Sequence, residues 1–307
     1  MRLSRLVFAA AALSLGLSAP AWAQWNPLIS AIELQALMAE REVVVLDTRS
    51  ADGGADGKAP NYMAGHIPGA VNAPYEKWRG PKQNPGEKLS DAALSELLSS
   101  AGLTPEKPVV VVYEGPGQVD FGSAARVYWN LKSAGFGEIA ILNGGMFKWR
   151  DAGLPISTEP SVPAPTEVTA TWSDEWFVTR EEVLAIVEGK QEAVLLDARA
   201  PAQWKGEQKH GAAKTPGTLP GAYNAPFPTF FDPKDPALMS AEVVKDWAAK
   251  AAEEIKGRPV VSFCNTGQLA AQNWFALSEV AGLENVSIYP ESMVDWTHAD
   301  LPLSYGQ

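Results

Sequence analysis

The chain has 307 residues, 46% hydrophobic and 20% charged, which is the balance of a folded protein, and at roughly 100–200 residues per domain its length favours two domains. A single cysteine, Cys264, excludes an internal disulfide framework, a four-cysteine zinc site and an iron–sulfur cluster held by one chain. The formal charge of −11 lacks the cationic face that nucleic acid or an anionic membrane surface requires, so neither is an expected partner.

Residues 1–23 read as an export signal. Arg2 and Arg5 precede an apolar run from Leu6 to about Leu17, and Ala21-Trp22-Ala23 supplies an A-x-A cleavage site. The run is shorter than the roughly 20 residues of a spanning helix. Cleavage after Ala23 takes two arginines and no acids away, moving the charge from −11 to −13. The expected location is a bacterial periplasm, where a free thiol is oxidised unless it is buried or used.

Residues 24–158 are expected to form the first domain. Ser30-x-x-Glu33 is a capping box that opens an amphipathic helix, and Val43 to Leu46 is a buried strand ending at Asp47-Thr48-Arg49. His66, in Gly-His-Ile-Pro-Gly, reads as a turn residue that satisfies backbone groups. A second strand spans Val109 to Val112, a helix about Gly122 to Ser133, and a third strand Ile139 to Leu142. Residues 159–170, with Pro160, Pro163 and Pro165, read as a stiff, extended linker.

The second domain, residues 171–307, repeats this order. Thr179-x-x-Glu182 is a capping box, Val194 to Leu196 a buried strand, and Glu207 to Thr215 a polar insertion that should leave His210 solvated. Val260 to Phe263 is the next strand, followed by a helix from Gln268 to Val280 and a strand from Val286 to Tyr289. The copies match residue by residue in blocks: Val43–Arg49 with Ala193–Arg199 at an offset of 150, Pro68–Pro74 with Pro220–Pro226 at 152, and Pro108–Tyr113 with Pro259–Cys264 at 151. The segments ending at Trp149 and Trp296 close each copy, so the chain is a tandem duplication. Strands alternating with helices make each half a small α/β domain with a parallel sheet and helices on both faces.

Ligands of open α/β sheets bind at the carboxyl ends of strands, and Cys264 stands there, in the turn Cys264-Asn265-Thr266-Gly267 before a helix. A turn rolled around the sulfur would aim amides and the helix dipole at it, favouring thiolate over thiol. The matching position in the first copy is Tyr113, whose loop Glu114–Asp120 carries no nucleophile. One copy therefore keeps a reactive atom and the other does not. Asp197 and Arg199 are expected to pair, in a structural role or in shaping a donor pocket, and the tryptophans to serve packing. The three histidines and the cysteine show no metal-ligand spacing.

The order LD-x-R, PGA-x-N-x-P, a valine-rich strand ending in cysteine and a Trp-terminated segment resembles the tandem-domain rhodanese family of sulfurtransferases over about residues 30–304. Ala64–Ala70 and Leu142–Trp149 resemble the family's noncatalytic domain. The resemblance implies a fold of two rhodanese-like domains and a persulfide on Cys264, cradled by the amides of Asn265, Thr266, Gly267, Gln268 and Leu269, with no dissociable cofactor. It implies that Gln203 faces the donor, with Asp197 and Arg199 as further candidates for the donor site, a small anionic donor such as thiosulfate or mercaptopyruvate, and a thiol, cyanide or protein acceptor. A monomer is expected.

The chain departs from the family's pattern at defined places. Gln203 stands six residues after Asp197, where members carry an arginine that binds the donor. Asn265 and Thr266 replace the basic loop residues of thiosulfate-type members, and Gln268 and Leu269 stand where Val and Thr are usual. The loop amides would then carry more of the anion binding, and a periplasmic persulfide carrier with little small-molecule turnover is the alternative. A cysteine phosphatase needs Cys-x5-Arg to grip phosphate, and here that position is Ala270.

Overall fold

Short valine-rich runs too apolar to face water on either side build two parallel sheets. The structure is a computed structural model describing residues 25–53 and 60–306; the expected signal segment lies outside them. In the first half β1 (Leu28–Ile29), α1 (Ala31–Glu40), β2 (Val44–Asp47), β3 (Val71–Asn72), α2 (Asp91–Ser100), β4 (Val109–Val112), α3 (Gln118–Ser133), β5 (Ile139–Leu142) and α4 (Gly145–Asp151) follow in order. The second half holds α5 (Arg180–Val187), β6 (Val194–Asp197), α6 (Pro201–Trp204), β7 (Tyr223–Asn224), α7 (Ala241–Ile255), β8 (Val260–Phe263), α8 (Gln268–Trp274), β9 (Val286–Ile288) and α9 (Ser292–His298). Among the described residues the sheets run β1-β5-β4-β2-β3 and β7-β6-β8-β9, with every strand pair parallel. This is the expected α/β architecture of two tandem parallel-sheet domains.

Both capping boxes form, with Ser30 and Thr179 each accepting from the amide three residues on while Glu33 and Glu182 reach back. The duplication extends to single hydrogen bonds. Asn72 Nδ2 donates to the carbonyls of Asp47 and Arg49, and Asn224 Nδ2 to those of Asp197 and Arg199. The Trp149 and Trp296 indoles each donate to a proline carbonyl six residues on, at 2.8 Å. Sequence periodicity missed the two-residue strands β1, β3 and β7, which are too short to show a pattern of their own. The helix expected over Gln268 to Val280 changes at Phe275, where a π-helical segment, Phe275–Val280, takes over.

Strand alternation divides the core. In the first sheet Val45, Val110 and Val112 face a cluster with Leu34, Leu37 and Trp149, while Val109, Val111 and Ile141 face the other way. That second cluster does not stop at the domain boundary: it continues through Phe121, Tyr128 and Trp129 into Trp274, Phe275, Val260 and Ile288 of the second half. Helices α3 and α8, which follow corresponding strands, meet across the junction. Phe121 packs edge-on against Phe231 and Phe275, at 5.5 and 5.6 Å between centroids, and Tyr128 against Phe275 at 4.9 Å. Polar contacts rim this seam: Tyr128 Oη donates to Glu279 at 2.7 Å, Lys132 pairs with Glu279 at 2.9 Å, and Asn143 exchanges two hydrogen bonds with the Met239 backbone.

Residues 159–170 run extended and lie along the first domain. The Ser161 amide donates to Tyr62 Oη at 2.8 Å, and Thr166 Oγ1 to the Leu103 carbonyl at 2.7 Å. The domains are thus joined by a docked strap as well as by a shared core.

Candidate active site

Strand β8 carries the chain to Cys264, which is 1% exposed and is a free thiol. The first turn of α9 holds its backbone. The Cys264 amide donates to Ser292 Oγ at 3.0 Å, Ser292 Oγ donates to the Tyr289 carbonyl at 2.6 Å, and the carbonyls of Cys264 and Asn265 accept from the amides of Met293 and Val294 at 3.1 Å. Ser292 adopts φ +55°, a left-handed conformation, and Gly145 at the matching place in the first copy has the same φ of +55°. Glycine takes that conformation freely, whereas serine pays about 1 kcal/mol or more for it. The hydroxyl that anchors the Cys264 amide is what the strained serine supplies. Ser292→Ala should therefore leave a buried amide unpaired at a cost of about 1–3 kcal/mol. Sulfur-transfer rate should fall at least several-fold while the far-ultraviolet circular dichroism stays unchanged; an unaltered rate would remove Ser292 from the site.

Beyond Cys264 the chain turns sharply, with Gly267 at φ +75° capping α8. Among the described residues, the amides of residues 265–270 find no acceptor within the chain. Such donors, gathered at a helix start beside a thiol, are the raw material of an anion cradle. Asn265 Nδ2 donates to Gln203 Oε1 at 3.0 Å, while Asn265 Oδ1 is buried without a partner among the described residues. Thr266 is 7% exposed. The Gln268 side chain reaches across the seam, Nε2 donating to the Val119 carbonyl and to Ser123 Oγ, each at 3.0 Å. Leu269 packs on the shared core. Gly122 permits this approach, since a methyl group there would come within 3.1 Å of the Gln268 carbonyl.

Asp197 and Arg199 meet each other and not the loop. Arg199 Nε and Nη2 lie 2.9 and 2.6 Å from the two carboxylate oxygens, Nη2 also donates to the Gly217 carbonyl, and Thr218 Oγ1 donates to Asp197 at 2.7 Å. Asp47 and Arg49 repeat this clamp on Gly65 in the first domain, beside no thiol. The clamp itself is thus common to both halves, a tie between a strand end and the following loop; the copies differ in that Arg49 Nη1 also pairs with Glu114 at 2.9 Å, whereas no such partner of Arg199 Nη1 is seen among the described residues.

The charged side chain that does approach the loop comes from the other domain, and sequence reasoning passed over it. Arg126, in the middle of α3, is 1% exposed. A methyl group on Gly267 would lie 2.1 Å from its Nη1. Burial pushes the guanidinium pKa down, while Tyr75, Glu291 and the Cys264 sulfur pull it up and Arg79 opposes them. The available signal was a lone arginine inside the run Phe121-Gly122-Ser123-Ala124-Ala125-Arg126-Val127-Tyr128-Trp129.

The sequence model of the rhodanese-like domain matches residues 30–152 and again 179–299. The chain belongs to the rhodanese family. It is 31% identical over 264 residues to thiosulfate sulfurtransferase of Bos taurus, covering 84% of this chain and 86% of that protein. It is 28% identical over 262 residues to the sulfur carrier protein TtuD of Thermus thermophilus, covering 80% and 87%. The anaerobic ergothioneine biosynthesis enzyme of Chlorobium limicola, solved with trimethyl histidine, superimposes with a TM-score of 0.77 at 21% identity, over 92% of this chain and 71% of that one. This rhodanese is a sulfurtransferase.

The hydrogen bonds seen for the histidines of this rhodanese go to residues outside the Cys264 loop. His66 Nδ1 and Nε2 lie 2.8 and 3.0 Å from the carbonyls of Tyr62 and Glu159. His210 is half-buried rather than solvated, and burial, Arg79 of the first domain and Lys209 all push its pKa down. The insertion that carries it therefore leans toward the first domain. A groove of about 850 Å³ is lined by residues such as Trp25, Lys148, Met239 and Glu279 and by none of the Cys264 loop.

Gln203 faces the loop through Asn265, which makes it a point where a cation can be restored. In Gln203→Arg, the unpartnered Asn265 Oδ1 becomes available as an acceptor for one guanidinium N–H, leaving others for a donor anion. The half-saturating thiosulfate concentration should drop on the order of tenfold, the value of one charge-assisted hydrogen bond. An unchanged Michaelis constant and salt dependence would show that the donor is held away from position 203.

Proposed function

We propose that this protein is an exported sulfurtransferase in which Cys264 carries the sulfur. The Cys264 thiolate attacks the outer sulfur of thiosulfate or a similar small anionic donor; a sulfur–sulfur bond to Cys264 forms, the bond to the sulfonate sulfur breaks, and its electron pair leaves with sulfite. The persulfide anion then sits among the amides of residues 265–270. An acceptor such as cyanide or a thiol attacks the outer sulfur and returns the Cys264 thiolate, so charge and atoms balance and no dissociable cofactor takes part. The observation that carries this reading is the placement of the chain's one thiol at the end of β8, backbone-anchored and beside unpaired amides.

A thiol that is 1% exposed favours slender acceptors over the folded face of a protein. A second reading, a persulfide carrier with little small-molecule turnover, is favoured by the similarity to a protein named as a sulfur carrier. Intact mass after incubation with thiosulfate or mercaptopyruvate tests the first step, as a gain of one sulfur on the sole cysteine. Steady-state transfer to cyanide, compared with single-turnover labelling, separates enzyme from carrier. Export to the periplasm and a monomeric state complete the proposal: protein recovered from a periplasmic extract should begin at Gln24, and its solution mass should be that of one chain.

A further inference from the structure

Thiosulfate and the Cys264 thiolate are both anions, yet the loop from Cys264 to Leu269 contains no cationic side chain. Bringing them together in a desolvated cleft requires a fixed positive charge from elsewhere. Arg126 of α3 is placed to supply it. Its Nη2 donates to the Gly86 carbonyl at 2.9 Å and its guanidinium lies over the Trp129 ring at 4.7 Å, but Nε and Nη1 are buried without any partner among the described residues. Nη1 is the atom that lies against Gly267, in the turn that carries the unpaired amides. A buried cation with unmet donors costs more than a neutral group in the same state, so the missing acceptor is expected to be a ligand.

The surroundings fit an oxyanion. Tyr75 is buried and its hydroxyl also lacks a partner among the described residues; burial pushes its pKa up, so it remains a neutral donor, while Arg79 and Arg126 act in the opposite sense. Arg79 stands over the Tyr75 ring at 5.0 Å. The carboxylate that competes is Glu291, whose charge reaches Arg126 without forming an ion pair with it. Gly86 and Pro290 close the gap from the two domains, since a methyl group on Gly86 would come within 2.3 Å of the Pro290 carbonyl.

We infer that Arg126, with the Tyr75 hydroxyl beside it, seats the oxyanion end of the sulfur donor and of the sulfite that leaves, so that the first domain contributes part of the binding site. This rests on Cys264 being the sulfur-accepting thiol. In chemical terms the seat takes a small sulfur oxyanion, and the first domain of the same chain supplies the positive charge absent from position 203 and from the loop.

The test is equilibrium titration of thiosulfate and of unreactive inorganic sulfate into the mature chain carrying Cys264→Ser. Both dianions should bind; adding Arg126→Met should weaken them at least tenfold, as loss of charge-assisted hydrogen bonds requires, and Arg126→Lys should weaken them less. Glu291→Gln, which removes the competing carboxylate, should tighten both. Absence of binding, affinity unchanged in Arg126→Met, or affinity lost only in step with the melting temperature overturns the inference. If Arg126→Met does not fold, Glu291→Gln decides, and unchanged or weaker binding there overturns it. Persulfide mass on the unmutated chain separates the two readings. Sulfur uptake from thiosulfate that is indifferent to Arg126 leaves Cys264 standing and removes Arg126; Arg126-dependent sulfate binding in a chain that takes no sulfur removes the thiosulfate reading and leaves the oxyanion seat.

Discussion

Replacing Cys264 with serine is expected to abolish sulfur uptake and turnover while leaving the melting transition close to that of the parent. The hydroxyl is smaller than the thiol by a fraction of an atom's volume, and the backbone on either side is fastened independently of the side chain, through Ser292 Oγ and the amides of Met293 and Val294. The loss is chemical. An alkoxide is not available near neutral pH, and an oxygen cannot form the sulfur–sulfur bond on which transfer depends. Because the chain has one cysteine, intact mass reads the outcome without ambiguity. Normal circular dichroism with undiminished transfer would place the chemistry elsewhere.

Separating the domains should cost both stability and activity. A fragment spanning 171–307 exposes Phe231, Trp274 and Phe275, whose ring contacts include Phe121 and Tyr128 of the first domain. Each such side chain is worth about 1.5–3 kcal/mol of burial when fully covered, against a total stability of about 5–15 kcal/mol for a domain. Glu279 would lose Tyr128 and Lys132, and Gln268 would lose Val119 and Ser123, at the start of the helix that follows the thiol. The fragment is therefore expected to aggregate or to melt far below the whole chain, with sulfur uptake reduced at least tenfold. A soluble fragment with a cooperative transition and full activity would make the first domain a passenger.

The amino-acid sequence by itself determined the duplication, the α/β class and the position of the thiol. Those features are local: capping boxes at Ser30 and Thr179, strands apolar on both faces, and a cysteine at a strand-to-helix turn each declare themselves within a few residues. What tertiary structure decided is everything that depends on two distant segments meeting. Gln268 reads as a loop residue, and its side-chain amide goes to the opposite domain. Asp197 and Arg199 read as a pair, and the structure adds the partner that the pair grips, the Gly217 carbonyl, as its twin grips that of Gly65. Arg126 lies 138 positions before Cys264 in the chain, and only the packing of α3 on α8 brings its guanidinium to the turn at Gly267. Charge acts through space, so a cation contributed by one copy to the other leaves no spacing motif to read; the shared core positions it and burial makes it matter.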